Sequence, residues 1–299
     1  CNQLFDGLVR LNEKLELVPA IADSWAIDPL MKTYTFFLKR DVYFHRDTCF
    51  SQANRTRIVN AYDFQYSFER IIDPKIASPG SWIFNGRIDS MEPFKVIDSF
   101  TFQIKLQRPF YPFLNILSMQ YCSVIPKEAI DWYKNEFNKH PVGTGPFRFK
   151  FMNEGIALFL SKNPLYFIKD SLGKALPYLD GVKVSFIDNK KTEYLTFLQN
   201  ELDMISGIDI SYLNELINKD GQLQQDKQGK IKMYTSPYLN TEYLGFLNES
   251  MLPAQSPLRN KNVRKAINYG INRKELIQYL KNNIGQSANS GFVPKGLSS

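Results

Sequence analysis

The sequence predicts an α/β chain of irregular, mixed α+β type, divided into two parts. Three observations carry this. Segments of strand composition and segments of helical periodicity alternate without the regular βαβ spacing of a parallel sheet. Phe and Tyr, with 23 and 16 of the 299 residues, favour aromatic-packed strands over a helical bundle. The length allows two ordinary domains, and the 43% apolar content supports a substantial core and excludes a disordered chain.

Taken in order, Leu4/Leu8 and Phe5/Val9 stand at i,i+4 spacing, which predicts a short amphipathic helix over Asn2 to Val9. Residues 15–25 lead into a strand at Tyr34 to Lys39, with a second short strand at Val42 to Phe44 and a surface loop at 45–58. Asn60 is an N-cap and Asp63, three residues on, completes a capping box, so a helix runs from there to Asp73-Pro74. Pro79 to Phe84 is a turn carrying Trp82, and Phe94 to Leu106 a hairpin turning near Ile97 to Phe100.

A short helix at 110–117 is started by Pro112. Tyr121 to Pro126 reads as a buried strand, and Lys127 to Phe137 as a helix. Phe147–Met152 and Ile156–Ser161 form a hairpin, and Val182 to Ile187 is the clearest strand of the chain. Further on, Thr192–Leu198 is helical, Leu202–Ile205 a short strand, and Ser211 caps a helix to Lys219. Ile231–Thr235 and Tyr243–Leu247 read as strands bracketing a Pro/Asn segment, where a domain transition falls (Pro237 to Asn248). Val263 to Gly270 and Arg273 to Asn283 are the last two helices.

The segment His140-Pro141-Val142-Gly143-Thr144-Gly145-Pro146-Phe147 stands out. Its glycines permit φ > 0 or a close backbone approach, Pro146 holds Gly145 towards extended geometry, and the alternating Phe147-Arg148-Phe149-Lys150-Phe151 makes it enter a strand. Such a crossing suits a hinge or the floor of a cleft, but these eight residues alone favour an ordinary tight turn between a helix and a strand. It lacks the Gly-Lys-Ser/Thr ending of a P-loop and does not open a helix, so it is no phosphate fingerprint.

Catalysis finds little support. The three cysteines (Cys1, Cys49, Cys122) and two histidines lack metal-ligand spacing, so no metal and no cofactor are expected. A hydrolase would rest on His45 or His140 alone, neither next to a nucleophile motif. The acids Asp131, Glu136, Glu201 and Asp203 read as surface charges. The net charge of +7 is scattered among acids, which argues against a nucleic-acid partner. No apolar run reaches membrane-spanning length. Cys1 admits two readings, an acylated lipoprotein cysteine or a cut site. The structured run Leu4-Phe5-Asp6-Gly7-Leu8 directly after it favours the cut.

The order of motifs resembles a known family. Leu4-Phe5-Asp6-Gly7-Leu8-Val9, Leu17 to Trp25, Tyr34 to Leu38 with Asp41 to His45, Ala61 to Arg70 with Asp73-Pro74, Pro141 to Phe147, Lys162 to Phe167 and Pro257 to Asn268 follow one another as in the family 5 extracellular solute-binding proteins. These include the oligopeptide- and dipeptide-binding components of ABC importers. The resemblance implies a two-lobed periplasmic-binding-protein-like fold that closes over an extended peptide in an interlobe cleft and docks on membrane permease subunits. It implies a non-enzyme, outside the cytoplasm, periplasmic or lipid-anchored.

Because family members are longer, the chain resembles a fragment. Residues 1–240 would be the first lobe with an extra subdomain (roughly 11–140), and 241–299 the truncated start of the second, exposing apolar surface. Motif matching implies Gly80, Trp82, Tyr121, Cys122, Gly143, Thr144, Gly145, Tyr238, Asn240 and Thr241 as ligand-binding residues, with Thr144 and its glycines offering hydrogen bonds. Several peptide binders carry an aromatic near Gly80, and Trp82 would compensate. The same fold also implies non-peptide solutes (nickel chelate, haem, sugar) as the alternative.

Overall fold

The computed structural model describes residues 1–235, 240–247, 249–281, 283–288 and 291–293. The chain divides into two compact units, Cys1–Phe186 and Ile187–Ser299. The lobe boundary expected near residue 240 falls within the second and is taken up again below as a proposal.

The first unit opens with a two-stranded antiparallel ribbon, β1 (Val9–Leu11) with β2 (Leu17–Pro19). A four-stranded antiparallel sheet follows, built from β3 (Ala22–Ile27), β4 (Thr33–Leu38), β5 (Phe94–Asp98) and β6 (Thr101–Lys105) in the order β3-β4-β6-β5. Its register sets Tyr34 opposite Ile104 and Phe36 opposite Phe102, so the alternation of β4 and β6 puts one aromatic row on one face.

Helix α1 (Ala61–Ile72) covers that face. The predicted capping box is present: Asn60 accepts from the Tyr62 amide (2.9 Å) and Asp63 accepts from the Asn60 amide (2.9 Å). Phe64 and Phe68, one turn apart, seat their rings 6.0 and 5.8 Å from Phe102, and Phe68 also meets Phe84 at 5.2 Å. Arg57 forks onto Asp63 (2.7 and 2.8 Å) and onto Glu128 (2.6 and 2.7 Å), tying the start of α1 to that of α3 (Lys127–Tyr133). The helix α2 (Phe113–Leu117) follows Pro112 as expected and buries Phe113 against Tyr34. A three-stranded antiparallel sheet, β7 (Phe147–Asn153), β8 (Ala157–Lys162) and β9 (Gly181–Ser185), completes the unit.

The second unit holds α4 (Lys190–Leu198), α5 (Ile210–Leu216), α6 (Lys261–Gly270) and α7 (Arg273–Lys281). Its buried cluster is Tyr194, Leu213, Leu216 and Ile217.

Several sequence expectations fail for identifiable reasons. Residues 2–8 form turns and extended chain, not a helix, because their carbonyls are taken by distant amides. Gln3 O accepts from Phe147 N (2.9 Å), Leu4 O from Gly145 N (3.0 Å) and Asp6 O from Val124 N (3.0 Å). Tyr121–Pro126 gives a 3-10 turn (Gln120–Cys122) and a single bridge, Ser123 with Gly7, since only that residue has a pairing partner. Val42–Phe44 likewise reduces to one bridge, Tyr43 with Ile58. The helix from Lys127 breaks at Lys134 (φ 49°) and continues as a 3-10 segment. Asp209, not Ser211, caps α5, and the helix stops at Leu216 because Ile217 turns extended to bridge Leu223. Residues 202–205, 231–235 and 243–247 find no ladder partner among the described residues and are not strands.

Candidate functional site

The Gly143-Thr144-Gly145 crossing is held on both sides by backbone. A Cβ on Gly143 would lie 2.0 Å from the Leu4 carbonyl oxygen, and one on Gly145 2.6 Å from the Leu4 carbonyl carbon. Neither glycine needs positive φ. Glycine is required because residues 3–5 pass against it, with no room for a side chain. On the opposite side His45 N donates to Gly143 O (2.7 Å), and Asn163 Nδ2 donates to Gly145 O (2.9 Å).

The His45 ring closes the arrangement. The Gly143 amide donates to Nδ1 (3.3 Å), which therefore carries no proton, and Nε2–H donates to Gly145 O (3.0 Å). Burial holds the ring neutral, with its pKa down at about 4, against the opposing bond to Gly145 and with the positive charge of Arg148 reinforcing the shift. Both nitrogens are thus committed to backbone, so His45 has no free base for hydrolysis. His140 lies exposed and stacked on Tyr133, ring centroids 4.3 Å apart.

Thr144 is fully buried; its hydroxyl donates to Asp6 Oδ2 (2.9 Å) and accepts from Asp6 N (3.2 Å). Burial raises the Asp6 carboxyl to about 6, opposed by the Thr144 hydroxyl, Arg10 and Tyr166. The hydroxyl expected to serve a ligand is therefore spent on Asp6, and the crossing is a frame held by hydrogen bonds with Asp6, His45, Asn163 and Leu4.

From this frame the chain reaches an aromatic surface. Asp6 and Gly7 run beside Cys122–Val124, where a Cβ on Gly7 would lie 3.0 Å from Cys122 O. Cys122 is fully buried and its thiol pushed up to about 12 by that burial, which leaves it inert. Next to it, Tyr121 packs over Gly80, so that a Cβ there would come within 2.8 Å of the ring. Trp82, two residues on, is 45% exposed, and Arg87 hydrogen-bonds the Trp82 carbonyl while its guanidinium lies over the Phe110 ring at 4.9 Å. Seven of the expected residues thus form one connected strip in the first unit: Gly80, Trp82, Tyr121, Cys122, Gly143, Thr144 and Gly145. Of these, Trp82 and Tyr121 offer accessible side-chain surface.

Asn240, exposed, and Thr241, whose hydroxyl donates to Phe292 O (2.8 Å), belong to the second unit. Tyr238 lies outside the described residues. Reasoning from sequence missed the framing partners. Asp6, His45, Asn163 and Tyr166 occur within recognisable motifs, yet nothing local reveals that they converge on the glycines. Among the described residues no three His, Cys, Asp or Glu are grouped to hold a metal, and no helix is long and apolar enough to cross a membrane.

Comparison with known proteins gives one direction. Residues 16–299 match the family described as bacterial extracellular solute-binding proteins, family 5 middle. The dipeptide-binding protein DppE of Bacillus subtilis is 25% identical over 99% of this chain and 51% of its own length. Heme-binding protein A of Haemophilus influenzae is 27% identical over 98% of this chain and 52% of its own length. Among solved structures, the periplasmic binding protein DppA of Helicobacter pylori in complex with the peptide STSA superposes with a TM-score of 0.77 at 29% identity, covering 98% of this chain and 55% of that one. The chain spans about half the length of the curated relatives it matches.

Proposed function

The chain belongs to the family 5 bacterial extracellular solute-binding proteins, and from that premise we propose that it is part of the substrate-binding component of an ABC-type importer, capturing extended peptides and delivering them to membrane permease subunits. The observation that carries this reading is the likeness, over 98% of the chain, to a binding protein whose structure holds a peptide. The relatives are binding proteins, in keeping with a non-enzyme role. Placement outside the cytoplasm, periplasmic or lipid-anchored, follows from the same reading, as does the division into a first lobe (1–240) and the start of a second (241–299).

The ligand surface of the first lobe is the Trp82–Tyr121 patch, with Arg87 as a fixed cation behind it. Gly143, Thr144, Gly145, Gly80 and Cys122 act as the frame that holds this patch at its place; for Tyr238, Asn240 and Thr241 a ligand-binding role rests on the motif resemblance alone. Main-chain hydrogen bonds and roomy side-chain pockets would give peptide binding with tolerance of sequence. A second reading, a non-peptide solute, is kept because the haem-binding relative is as similar as the peptide-binding one. The test is mass spectrometry of solute carried through purification, followed by calorimetry with short peptides and with haem. Recovery of peptides, and their binding weakened by Trp82→Ala, is the expected outcome; recovery of haem or another non-peptide solute would overturn the peptide assignment.

A further inference from the structure

Strand β7 buries Phe147, half-buries Arg148 and leaves Lys150 exposed. Arg148 and Lys150 line a pocket of about 380 Å³ together with Arg46, Asp47, His45 and Ser161. Ser161 faces Arg148 across the β7–β8 register and accepts from its Nε at 3.1 Å, which fixes the guanidinium and leaves the serine proton free to donate elsewhere. Arg46 and Lys150 have no acidic partner among the described residues. Asp47 is already served by the Cys49 amide (2.9 Å) and by the Tyr133 hydroxyl (2.9 and 3.1 Å).

Three cations thus line the pocket with one carboxylate that is already hydrogen-bonded elsewhere, beside a histidine that burial keeps neutral. Past Arg46 and Asp47 the surface continues into a second hollow of about 440 Å³ that Arg55 also lines. None of the lining residues belongs to the proposed solute site.

We propose that this pocket is an anion site that takes a phosphate group. Two guanidiniums and an ammonium supply positive charge for a phosphate anion, the guanidinium fork matches its oxygens, and the Ser161 hydroxyl adds a neutral donor. The pocket is of the size used for small ligands, and the adjoining hollow leaves room for whatever the phosphate is attached to. That phosphate is either free and water-borne or the headgroup of a phospholipid.

The experiment separates these sources. The full chain is titrated calorimetrically with inorganic phosphate in low-salt buffer near neutral pH, and co-sedimented with phosphatidylcholine vesicles with and without phosphatidylglycerol. The expected result is saturable phosphate binding that falls about tenfold in Lys150→Gln and in Arg46→Gln, weakens with added salt, and is unchanged in Lys14→Gln, an exposed lysine outside the pocket. Retention on anionic vesicles alone, lost in the same two variants, assigns the headgroup as the source. Absence of binding to both probes overturns the site. So does binding that Lys14→Gln reduces as much as Lys150→Gln, since it would then report only net charge.

Discussion

The two units of this chain treat apolar residues in opposite ways. The first buries Tyr34, Phe36, Phe64, Phe68, Phe84 and Phe102 almost completely, in one cluster between a sheet face and α1. In the second, the buried cluster among the described residues has four members, while Tyr269 and Tyr279 on α6 and α7 are 81% and 72% exposed. Local signals are comparable in both. Asn260 caps α6 by accepting from the Asn262 amide (2.9 Å) much as Asn60 caps α1. A cap and a periodicity therefore suffice to specify a helix, but its stability comes from the face it buries. After position 240, Tyr243, Leu244 and Met251 are also exposed. The second unit should open at lower free energy than the first, and its amides should exchange hydrogen faster.

This contrast can be broken or sharpened by substitution. The largest effect is expected at Gly143→Ala, where the new Cβ would meet backbone that cannot retreat. A loss of about 5 kcal/mol, or failure to fold, is expected in urea unfolding followed by first-unit probes. Gly145→Ala should behave similarly. Motif matching implies Gly145 as a ligand-binding residue, but the 2.6 Å approach to Leu4 predicts that the substitution acts on folding. Phe68→Ala should cost about 4 kcal/mol, because its ring touches four others. The corresponding change in the second unit, Leu216→Ala, should cost about 2 kcal/mol with a smaller cluster to disrupt; equal costs for the two would remove the contrast.

Acidification offers a further test within the first unit. His45, with its pKa lowered to about 4 in the fold, contributes stability that is present above its ordinary value near 6.5 and lost as pH falls towards 4. Asp6, raised to about 6, has the opposite sign, a penalty present above 6 that is relieved as pH falls towards 3.8. The two slopes oppose each other between pH 6 and 4. Asp6→Asn keeps an acceptor for Thr144 and removes one slope, so relative to the parent its stability should drop by a further ~2 kcal/mol over that range. Parallel stability curves for the two proteins would show that Asp6 does not titrate there. The smallest effect is expected at Tyr269→Ser, within about 0.5 kcal/mol, because that ring is exposed.

Much of the fold is legible along the chain because it depends on near neighbours. The Asn60–Asp63 capping box, the alternation of Tyr34 to Leu38, Pro112 before α2 and the hairpin of β7 and β8 each rest on contacts a few residues apart, and each is found where expected. The Leu4/Leu8 and Phe5/Val9 spacing misleads because the carbonyls of Gln3, Leu4 and Asp6 accept from the distant amides of Phe147, Gly145 and Val124. Tyr243 to Leu247 has strand composition but finds no partner strand among the described residues, and a strand alone satisfies none of its backbone groups.

By itself the sequence determined the mixed class, most elements of the first unit and the family, whose motifs occur in order. At Gly143 and Gly145 it left two readings open, positive φ or a close approach of backbone or ligand. Only the tertiary structure decided what passes there. The crossing is lined by the Leu4 backbone, by both nitrogens of His45 and by Asp6, so Thr144 serves the frame and the accessible surface shifts to Trp82 and Tyr121. The physical reason is one of range. A glycine records that space is scarce, but the group that occupies the space lies more than a hundred residues away, as with Asp6 and Thr144 at a separation of 138, and no local pattern encodes it.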